Sequence, residues 1–364
     1  MAAERGPSPE SFIRATVRPL AQYGPPRDPA PVGLHLNESP HDLPAALKHE
    51  LAAQLEAINW SRYPITDGLA LAKDLARAAS VDPAGTLVGN GSNELLQLLL
   101  MAVVEPGDAV VVAEPSFSIY GLQARALGAR VIELPLRAPD GAFRFDIDAI
   151  VQAARASQAK LVLLGSPNNP TGTVLSQGDA ARLAAEVPGL LGIDEAYREF
   201  CGQDFAPLLA SNPRLVLFRT FSKALAGASL RCGSLYAAPS LCTELRKIQL
   251  PYNLSAQTCL VARALVARPA LVRERADEVK AERERVKVAL VAHGCVVHPS
   301  GANFLLFEQG KRPPTELHKA LLARGVLIRN VSTGKGLEKA LRVSVGAREA
   351  NDAFLAALGA ELQG

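Results

Sequence analysis

The sequence predicts an α/β fold, with a mainly parallel central sheet, helices on both faces of that sheet, and a smaller α+β domain. Three observations predict it. The chain has 364 residues, which is more than one compact core usually holds. From about Gly85 short apolar runs alternate with helical stretches, an order typical of parallel sheets. After Pro251 this alternation stops and a different arrangement of helices and strands begins.

The alternating region supplies the predicted strands and helices of the large sheet. Six apolar runs predict buried strands, at residues 85–89, 109–113, 131–134, 160–164, 190–193 and 215–218. Helical stretches lie between them, for example at residues 93–104, 119–127, 147–156 and 179–187. Strands that alternate with helices in this way join through crossovers, so most of the sheet should be parallel.

The last third of the chain predicts the smaller domain. The pattern there gives helices at 256–266, 270–292, 314–324 and 350–362, and strands at 303–307, 326–329 and 341–345. The first 35 residues are rich in Pro, Arg and Gly and have weak periodicity. We therefore expect an N-terminal arm at 1–35, a large domain at 36–255, and a small C-terminal domain at 256–364 that includes part of the arm.

Composition excludes several classes of function. The formal net charge is +3 and no block of Lys and Arg stands out, which argues against nucleic acid or a membrane surface as a partner. The five cysteines are scattered and form no C-x-x-C pair, so we expect no metal site, no disulfide framework and a reducing, cytoplasmic location. No apolar segment indicates a secretory signal or a membrane span.

Five polar clusters each follow directly after a predicted strand. They begin at Gly91, Glu114, Ser166, Asp194 and Thr220. In an open parallel α/β sheet the carboxyl ends of the strands line the crevice in which ligands bind. The sequence therefore predicts that these five clusters meet in one site.

Two of the clusters allow specific chemistry as well as a plain structural reading. Residues 90–93 (NGSN) open a predicted helix, where free N–H groups suit a phosphate, although for this segment taken alone an ordinary helix cap is the preferred interpretation. Lys223 follows two hydroxyl residues, Thr220 and Ser222. A buried lysine there could form a Schiff base, whereas a lone lysine after a strand is more often a surface residue.

The cluster at Asp194 ends an apolar run, so its carboxylate should be partly buried. A buried carboxylate needs a cationic or hydrogen-bonding partner, and a protonated ring nitrogen of a ligand is one such partner. A helix cap or an internal salt bridge is the structural alternative. Residues 166–172 (SPNNPTG) read as a tight turn, but a turn alone does not explain two adjacent Asn residues at a strand end.

Taken in order, these clusters resemble the fold-type I aminotransferases that depend on pyridoxal 5'-phosphate (PLP). The matching segments are 166–172 (SPNNPTG), 194–197 (DEAY) and 220–223 (TFSK), with Arg231 eight residues later and Arg342 within 341–346 (LRVSVG). The resemblance covers roughly residues 35–350. It implies a central sheet of seven strands and a large domain that binds PLP.

The resemblance also implies roles for single residues. Lys223 would hold PLP as a Schiff base and move a proton, while Asp194 would keep the ring nitrogen protonated. Asn169 and Tyr197 would bind the phenolic oxygen of the ring. Phe117 would stack on the ring face. The phosphate would be held by Ser92, Asn93, Thr220, Ser222 and Arg231. Tyr63 would reach in from a neighbouring subunit, which implies a homodimer with shared sites.

Within this superfamily the sequence is most similar to the histidinol-phosphate aminotransferase family. The segment 60–68 (WSRYPITDG) resembles that family, and Arg329 lies thirteen residues before Arg342, like the family's pair of arginines. Tyr23 and Asn37 would also contact substrate, although residues 37–42 (NESPHD) depart from the usual form of their segment. The likeness implies a step of histidine biosynthesis, in which histidinol phosphate and 2-oxoglutarate give imidazole-acetol phosphate and glutamate.

Two other reactions that use the same PLP-binding residues remain as alternatives. An aromatic amino-acid aminotransferase or a threonine-phosphate decarboxylase would use the same lysine, aspartate and phosphate cup. A generic dehydrogenase is disfavoured because no G-x-G-x-x-G segment follows a strand.

Overall fold

A computed structural model of the protein describes residues 8–24, 28–136 and 140–363. In chain order its strands are β1 (Val32–Leu34), β2 (Thr86–Asn90), β3 (Ala109–Glu114), β4 (Arg130–Pro135), β5 (Leu161–Gly165), β6 (Leu190–Asp194), β7 (Leu215–Thr220), β8 (Cys232–Tyr236), β9 (Val296–Val297), β10 (Phe304–Glu308), β11 (Val326–Asn330) and β12 (Ala340–Ser344).

The α-helices are α1 (Ala45–Glu56), α2 (Asp67–Ala79), α3 (Ser92–Val103), α4 (Ile119–Ala126), α5 (Ile147–Ser157), α6 (Gln177–Glu186), α7 (Pro239–Arg246), α8 (Ala256–Val266), α9 (Pro269–Ala292), α10 (Pro314–Ala323) and α11 (Arg348–Gln363). In the ranges described, no helix is both long and apolar enough to cross a membrane.

Seven strands form the large sheet in the order β2-β8-β7-β6-β5-β3-β4. Only β8 runs against its neighbours, so the sheet is mainly parallel, as the sequence predicted. The six strands expected from apolar runs are present, with ends that differ by a residue or two. The seventh, β8, was expected from the resemblance alone. The predicted fold class is confirmed.

The composition of the central strands follows from burial on both faces. Along β3, Val110 and Val112 pack on one face of the sheet, while Val111 and Ala113 pack on the other. A strand covered on both sides has no polar alternation, because every residue faces a core. Helices α3, α4 and α7 supply apolar residues to the first core, and α1, α2, α5, α6 and α8 supply them to the second.

A second sheet has the strand order β1-β11-β12-β10-β9 and belongs to the small α+β part of the fold. Its first strand comes from the predicted arm: Val32 pairs with Val326 in a parallel ladder, and Leu34 is 3% exposed. Apolar residues of α9, α10 and α11 pack against this sheet. The domain boundaries at 35/36 and 255/256 stay predictions.

Agreement with the sequence pattern varies along the chain. Helix α8 has the predicted bounds, and α9 carries exposed ion pairs such as Glu284–Lys287. Helices α1, α2 and α7 and the short strand β9 were not among the predicted elements. The first two lie before Gly85, where the alternating pattern of the large sheet begins.

Candidate active site

A cavity of about 560 Å³ opens at the carboxyl ends of the parallel strands. Side chains from all five predicted polar clusters line it, as the sheet-edge argument requires. The predicted site residues that line it are Tyr23, Asn37, Ser92, Asn93, Phe117, Asn169, Asp194, Tyr197, Thr220, Ser222, Lys223, Arg231, Arg329 and Arg342.

Tyr63 lies elsewhere. Its side chain is 73% exposed, and its ring stacks on Tyr252 with centroids 4.6 Å apart. Within a single chain Tyr63 therefore takes no part in the cavity, and its predicted role from a neighbouring subunit stays a prediction.

Lys223 lies in the loop that follows β7, with its amine inside the cavity. Its Nζ donates a hydrogen bond to the carbonyl oxygen of Leu36 at 2.9 Å and lies 5.8 Å from the centre of the Tyr197 ring. Burial, and then the positive charge of Arg342, lower the pKa of Lys223 to about 8. With this pKa, part of the lysine is a neutral, nucleophilic amine near neutral pH. Lys223 lines the cavity, so the alternative interpretation as an ordinary surface lysine is wrong.

Asp194 ends β6 and carries its carboxylate into the same cavity. One oxygen accepts a hydrogen bond from the hydroxyl of Tyr120 at 2.8 Å, and the other accepts from the backbone N–H of Ala196 at 3.0 Å. Burial raises the pKa of Asp194 to about 6, against the effect of the Tyr120 hydrogen bond. In the ranges that the structure describes, no basic side chain forms an ion pair with this carboxylate, so it is suited to a cationic ligand.

The ring of Tyr197 lies near the amine of Lys223 and packs edge-on against Phe304 of the small sheet. Its hydroxyl accepts a hydrogen bond from the amide of Asn37 at 3.1 Å, and burial raises its pKa to about 12. The amide oxygen of Asn37 accepts from Ser344 at 3.0 Å, and its backbone oxygen accepts from Asn303 at 3.0 Å. Asn37 has a φ of 54°, a left-handed conformation that asparagine tolerates better than most residues.

An anion cradle lies at the start of α3. Gly91, with a φ of 77°, precedes the helix, so Ser92 and Asn93 form its first turn, where backbone N–H groups are free to bind an anion. A Cβ atom at Gly91 would lie 2.6 Å from Nη2 of Arg231, so a side chain there would fill the cradle. Across it, Arg231 donates to the hydroxyl of Ser222 at 3.3 Å.

Thr220 completes this cradle from the end of β7, where its hydroxyl donates to Ser222 at 3.0 Å. Hydroxyl groups, a guanidinium and a helix N-terminus together are the donors that a phosphate group requires. The donor set therefore fits the phosphate of PLP, and Asp194 lies in the same cavity for the ring nitrogen.

Two arginines face each other at the small-sheet end of the cavity. Arg329 on β11 and Arg342 on β12 are direct partners in the antiparallel ladder. Arg342 donates to the side-chain oxygen of Asn169 and to the carbonyl oxygen of His35, both at 2.6 Å. Burial lowers the pKa of Arg342 to about 10, and the charge of Arg329 also lowers it. Like charges opposite each other repel, and a bound anion would relieve that repulsion.

Sequence reasoning missed two sets of residues near the site. Tyr120 carried no strand-end signal, because it lies inside α4 and reaches the site across the sheet edge. Glu195 and Arg219 form a buried ion pair, with Nε and Oε2 2.8 Å apart, next to Asp194 and Thr220 in the chain. The signal for the second set was present: two adjacent strand ends carry opposite charges beside site residues.

The model of the family "Aminotransferase class I and II" matches residues 30–358. The chain belongs to this family. Members of the family depend on PLP, so the predicted cofactor and the predicted aminotransferase activity are both confirmed.

Relatives and solved structures agree with this assignment. A histidinol-phosphate aminotransferase of Caldanaerobacter subterraneus subsp. tengcongensis is 33% identical over 96% of this chain and 98% of its own length. A histidinol-phosphate aminotransferase 2 of Cupriavidus pinatubonensis is 37% identical over 97% of each chain. The crystal structure of the Sinorhizobium meliloti histidinol-phosphate aminotransferase in complex with PLP has a TM-score of 0.82, 25% identity and 92% coverage of both chains.

Proposed function

We propose that this aminotransferase moves the amino group of L-histidinol phosphate to 2-oxoglutarate, giving imidazole-acetol phosphate and glutamate in histidine biosynthesis. The single observation that carries the proposal is the pair Arg329 and Arg342, opposite each other on β11 and β12 and both lining the cavity. The similarity to relatives named histidinol-phosphate aminotransferase supports it.

The charge of the substrate explains why two arginines are needed. Histidinol phosphate carries a phosphate dianion where an amino acid carries a carboxylate with a single negative charge. One guanidinium can pair with a carboxylate, whereas two can neutralise a dianion. Arg342 is already held by Asn169 and His35, so it is oriented before substrate arrives. Arg329 adds the second positive charge, and the pair can still bind the carboxylate of 2-oxoglutarate.

The remaining residues would hold the cofactor. The Gly91 cradle, with Arg231, Ser222 and Thr220, would bind the phosphate of PLP, and Asp194 would pair with its ring nitrogen. When bound, PLP supplies an electron sink for the bond that breaks at the substrate α-carbon. Phe117 lines the same cavity and would cover one face of the ring.

Lys223 would move the proton of the reaction. Because burial and Arg342 bring its pKa to about 8, a useful fraction of the amine is neutral near pH 7.5 and can accept a proton from the substrate α-carbon. The carbonyl of Leu36 fixes the direction of the amine, and the ring of Tyr197 lies beside it. The charges of Arg342 and Arg231 disfavour a lasting positive charge on Lys223, which helps it to pass the proton on.

We also propose a homodimer with shared sites, acting in the cytoplasm. Tyr63 and Tyr252 stack on each other, and large apolar side chains close to them in the sequence stay exposed on the single chain, among them Trp60, Ile65 and Leu250. An exposed apolar patch of this kind is typical of a surface that another chain covers. The free thiols of all five cysteines are consistent with a reducing compartment.

The test compares amino donors in wild type and in Arg329→Ala. Glutamate formation from 2-oxoglutarate is measured with L-histidinol phosphate and, separately, with L-phenylalanine. Loss of one charge-assisted contact to the phosphate should raise KM for histidinol phosphate about ten-fold to hundred-fold, and KM for phenylalanine much less. The matched control is Arg324→Ala, because Arg324 pairs with Glu361 on the same part of the fold and does not line the cavity.

Three results would contradict the proposal. If Arg329→Ala raised KM equally for both amino donors, Arg329 would not be binding the phosphate. A wild-type enzyme that uses phenylalanine and ignores histidinol phosphate would move the function to an aromatic aminotransferase. Release of carbon dioxide from threonine phosphate, without glutamate formation from histidinol phosphate, would make the enzyme a decarboxylase.

A further inference from the structure

We propose that Tyr120 is a positioning residue of this enzyme, which holds Asp194 as a carboxylate aimed at the ring nitrogen of PLP and keeps Phe117 in place against the ring. The inference deepens the proposed function and rests on PLP binding in the cavity described above. It concerns the geometry of three side chains: a phenol, a carboxylate and a phenyl ring.

The phenol reaches its partner from the helix beside the sheet. Tyr120 is the second residue of α4, and its side chain is 3% exposed. Its hydroxyl lies 2.8 Å from Oδ2 of Asp194, a distance typical of a strong hydrogen bond to a charged group. A carboxylate only accepts hydrogen bonds, so the phenol must donate. The other oxygen accepts from the backbone N–H of Ala196, and because each carboxylate oxygen can accept a second hydrogen bond, the carboxylate can still bind a ligand.

The same ring packs against the residue expected to cover the cofactor. The ring centroids of Tyr120 and Phe117 are 5.6 Å apart with an angle of 88° between their planes, and Tyr23 meets the Phe117 ring at 5.7 Å and 87°. Two edge-to-face contacts restrict the orientation of a phenyl ring. Tyr120 therefore contacts both Asp194, which would bind the ring nitrogen of PLP, and Phe117, which would cover the face of the ring.

A glycine leaves the room that the phenol needs. Gly165 ends β5 and is the direct ladder partner of Asp194 on β6. A Cβ atom at Gly165 would lie 3.2 Å from the hydroxyl of Tyr120, which is tighter than ordinary van der Waals contact. The backbone at this strand end is thus open on the side from which Tyr120 approaches Asp194.

The charges around Asp194 show why the phenol matters. Burial raises the pKa of Asp194, and the nearby carboxylate of Glu195 raises it further. Against this, the hydrogen bond from Tyr120 lowers it most, and the charge of Lys223 lowers it less. Tyr197 is a further nearby group: burial raises the pKa of its hydroxyl to about 12, and the charge of Asp194 also raises it. Removing the phenol should therefore favour the protonated acid.

The test follows PLP binding rather than turnover. Dissociation constants of PLP are measured from pH 5 to 9 for wild type, Tyr120→Phe and Tyr236→Phe. The last is a matched control, because Tyr236 is equally buried, its hydroxyl is hydrogen-bonded to Ser234, and it does not line the cavity. PLP labelled with ¹⁵N on the ring nitrogen gives a second signal, since the chemical shift reports whether that nitrogen is protonated.

In Tyr120→Phe the pH below which PLP affinity falls should rise by about one unit, because a hydrogen bond to the charged form is lost. The ¹⁵N signal near pH 7.5 should move toward the neutral ring, and Tyr236→Phe should match wild type in both respects. Identical pH profiles and ¹⁵N shifts for wild type and Tyr120→Phe would overturn the inference while leaving the proposed function intact.

Two further outcomes are decisive. A wild-type protein that does not bind PLP would overturn the cofactor assignment and this inference together. If Tyr120→Phe does not fold, Gly165→Ala takes its place: the added methyl displaces the phenol, and the affinity profile should shift in the same direction by a smaller amount. A folded Gly165→Ala protein with the wild-type profile would then count against the role of Tyr120.

Discussion

Replacing Arg219 by leucine should destabilise the protein strongly, because it leaves a buried carboxylate without its partner. The side chain of Glu195 is fully buried and receives Nε of Arg219 at 2.8 Å, as well as the backbone N–H of Phe205 at 3.0 Å. Arg219 also binds Asp204 at 2.6 Å, and its guanidinium lies 4.9 Å from the centre of the Tyr236 ring. These contacts join the ends of β6 and β7 beneath the cavity.

The magnitude follows from burial. Breaking a buried ion pair by removing one partner costs about 3–5 kcal/mol, since the other charge stays in a medium that solvates it poorly. Arg219→Leu should therefore cost that amount. Glu195→Gln should cost less, about 1–3 kcal/mol, because Arg219 keeps Asp204 and the amide oxygen can still accept from Phe205. In the Arg219→Leu protein, Glu195→Gln should instead raise the free energy of unfolding, because it then removes an unpaired buried charge.

The assay is urea unfolding of the four proteins that make up this double-mutant cycle, at pH 7.5 and without cofactor. Arg182→Leu is the control, because Arg182 pairs with Asp148 and Glu186 on the surface and should contribute little. If Glu195→Gln lowered the stability of the Arg219→Leu protein further, the two side chains would not be acting as a compensated pair, and the reasoning would fail.

Two other predictions concern the cofactor residues. Gly91→Ala should weaken PLP binding by about ten-fold or more, because the added methyl would meet the Arg231 guanidinium and strain a backbone φ of 77°. The control is Gly107→Ala, which introduces similar strain at a φ of 93° but has no atom within 4 Å of the added methyl. Unchanged PLP affinity in Gly91→Ala would contradict the proposed cradle. The apoprotein should bind PLP covalently at a rate that rises as the pH passes through about 8, because the neutral amine of Lys223 is the reactive form. Lys223→Ala is the control and should bind no PLP covalently. A rate that does not change between pH 7 and 9 would contradict the prediction.

The sequence predicts the large sheet well because its central strands are buried on both faces. Runs such as the one from Ala109 to Ala113 have no alternative to burial, and their carboxyl ends must meet at one edge. That rule alone predicts that the five polar clusters meet in one site. It also places Lys223 and Asp194 at the same edge of the sheet.

The residues that the sequence did not predict depend on contacts between distant segments. Strand β8 reads CGSLY, and its three small residues, Cys232, Gly233 and Ser234, keep it from standing out as an apolar run. Its Gly233 is needed because a Cβ atom there would lie 2.4 Å from the backbone nitrogen of Ser92, an approach that no local pattern reveals. Tyr120 looks like an ordinary core residue of α4, and only the neighbouring strand end gives its hydroxyl a partner.

The first strand of the small sheet has a consequence for how the protein is made. Val32–Leu34 pairs with Val326–Ile328, and the residues that follow it supply the carbonyl that binds Lys223 and the amide that binds Tyr197. During synthesis this strand leaves the ribosome long before β11, its ladder partner, has been made. The cavity is therefore complete only after β11 has been made, and a chain that stops before β11 would contain every strand of the large sheet without the complete cavity.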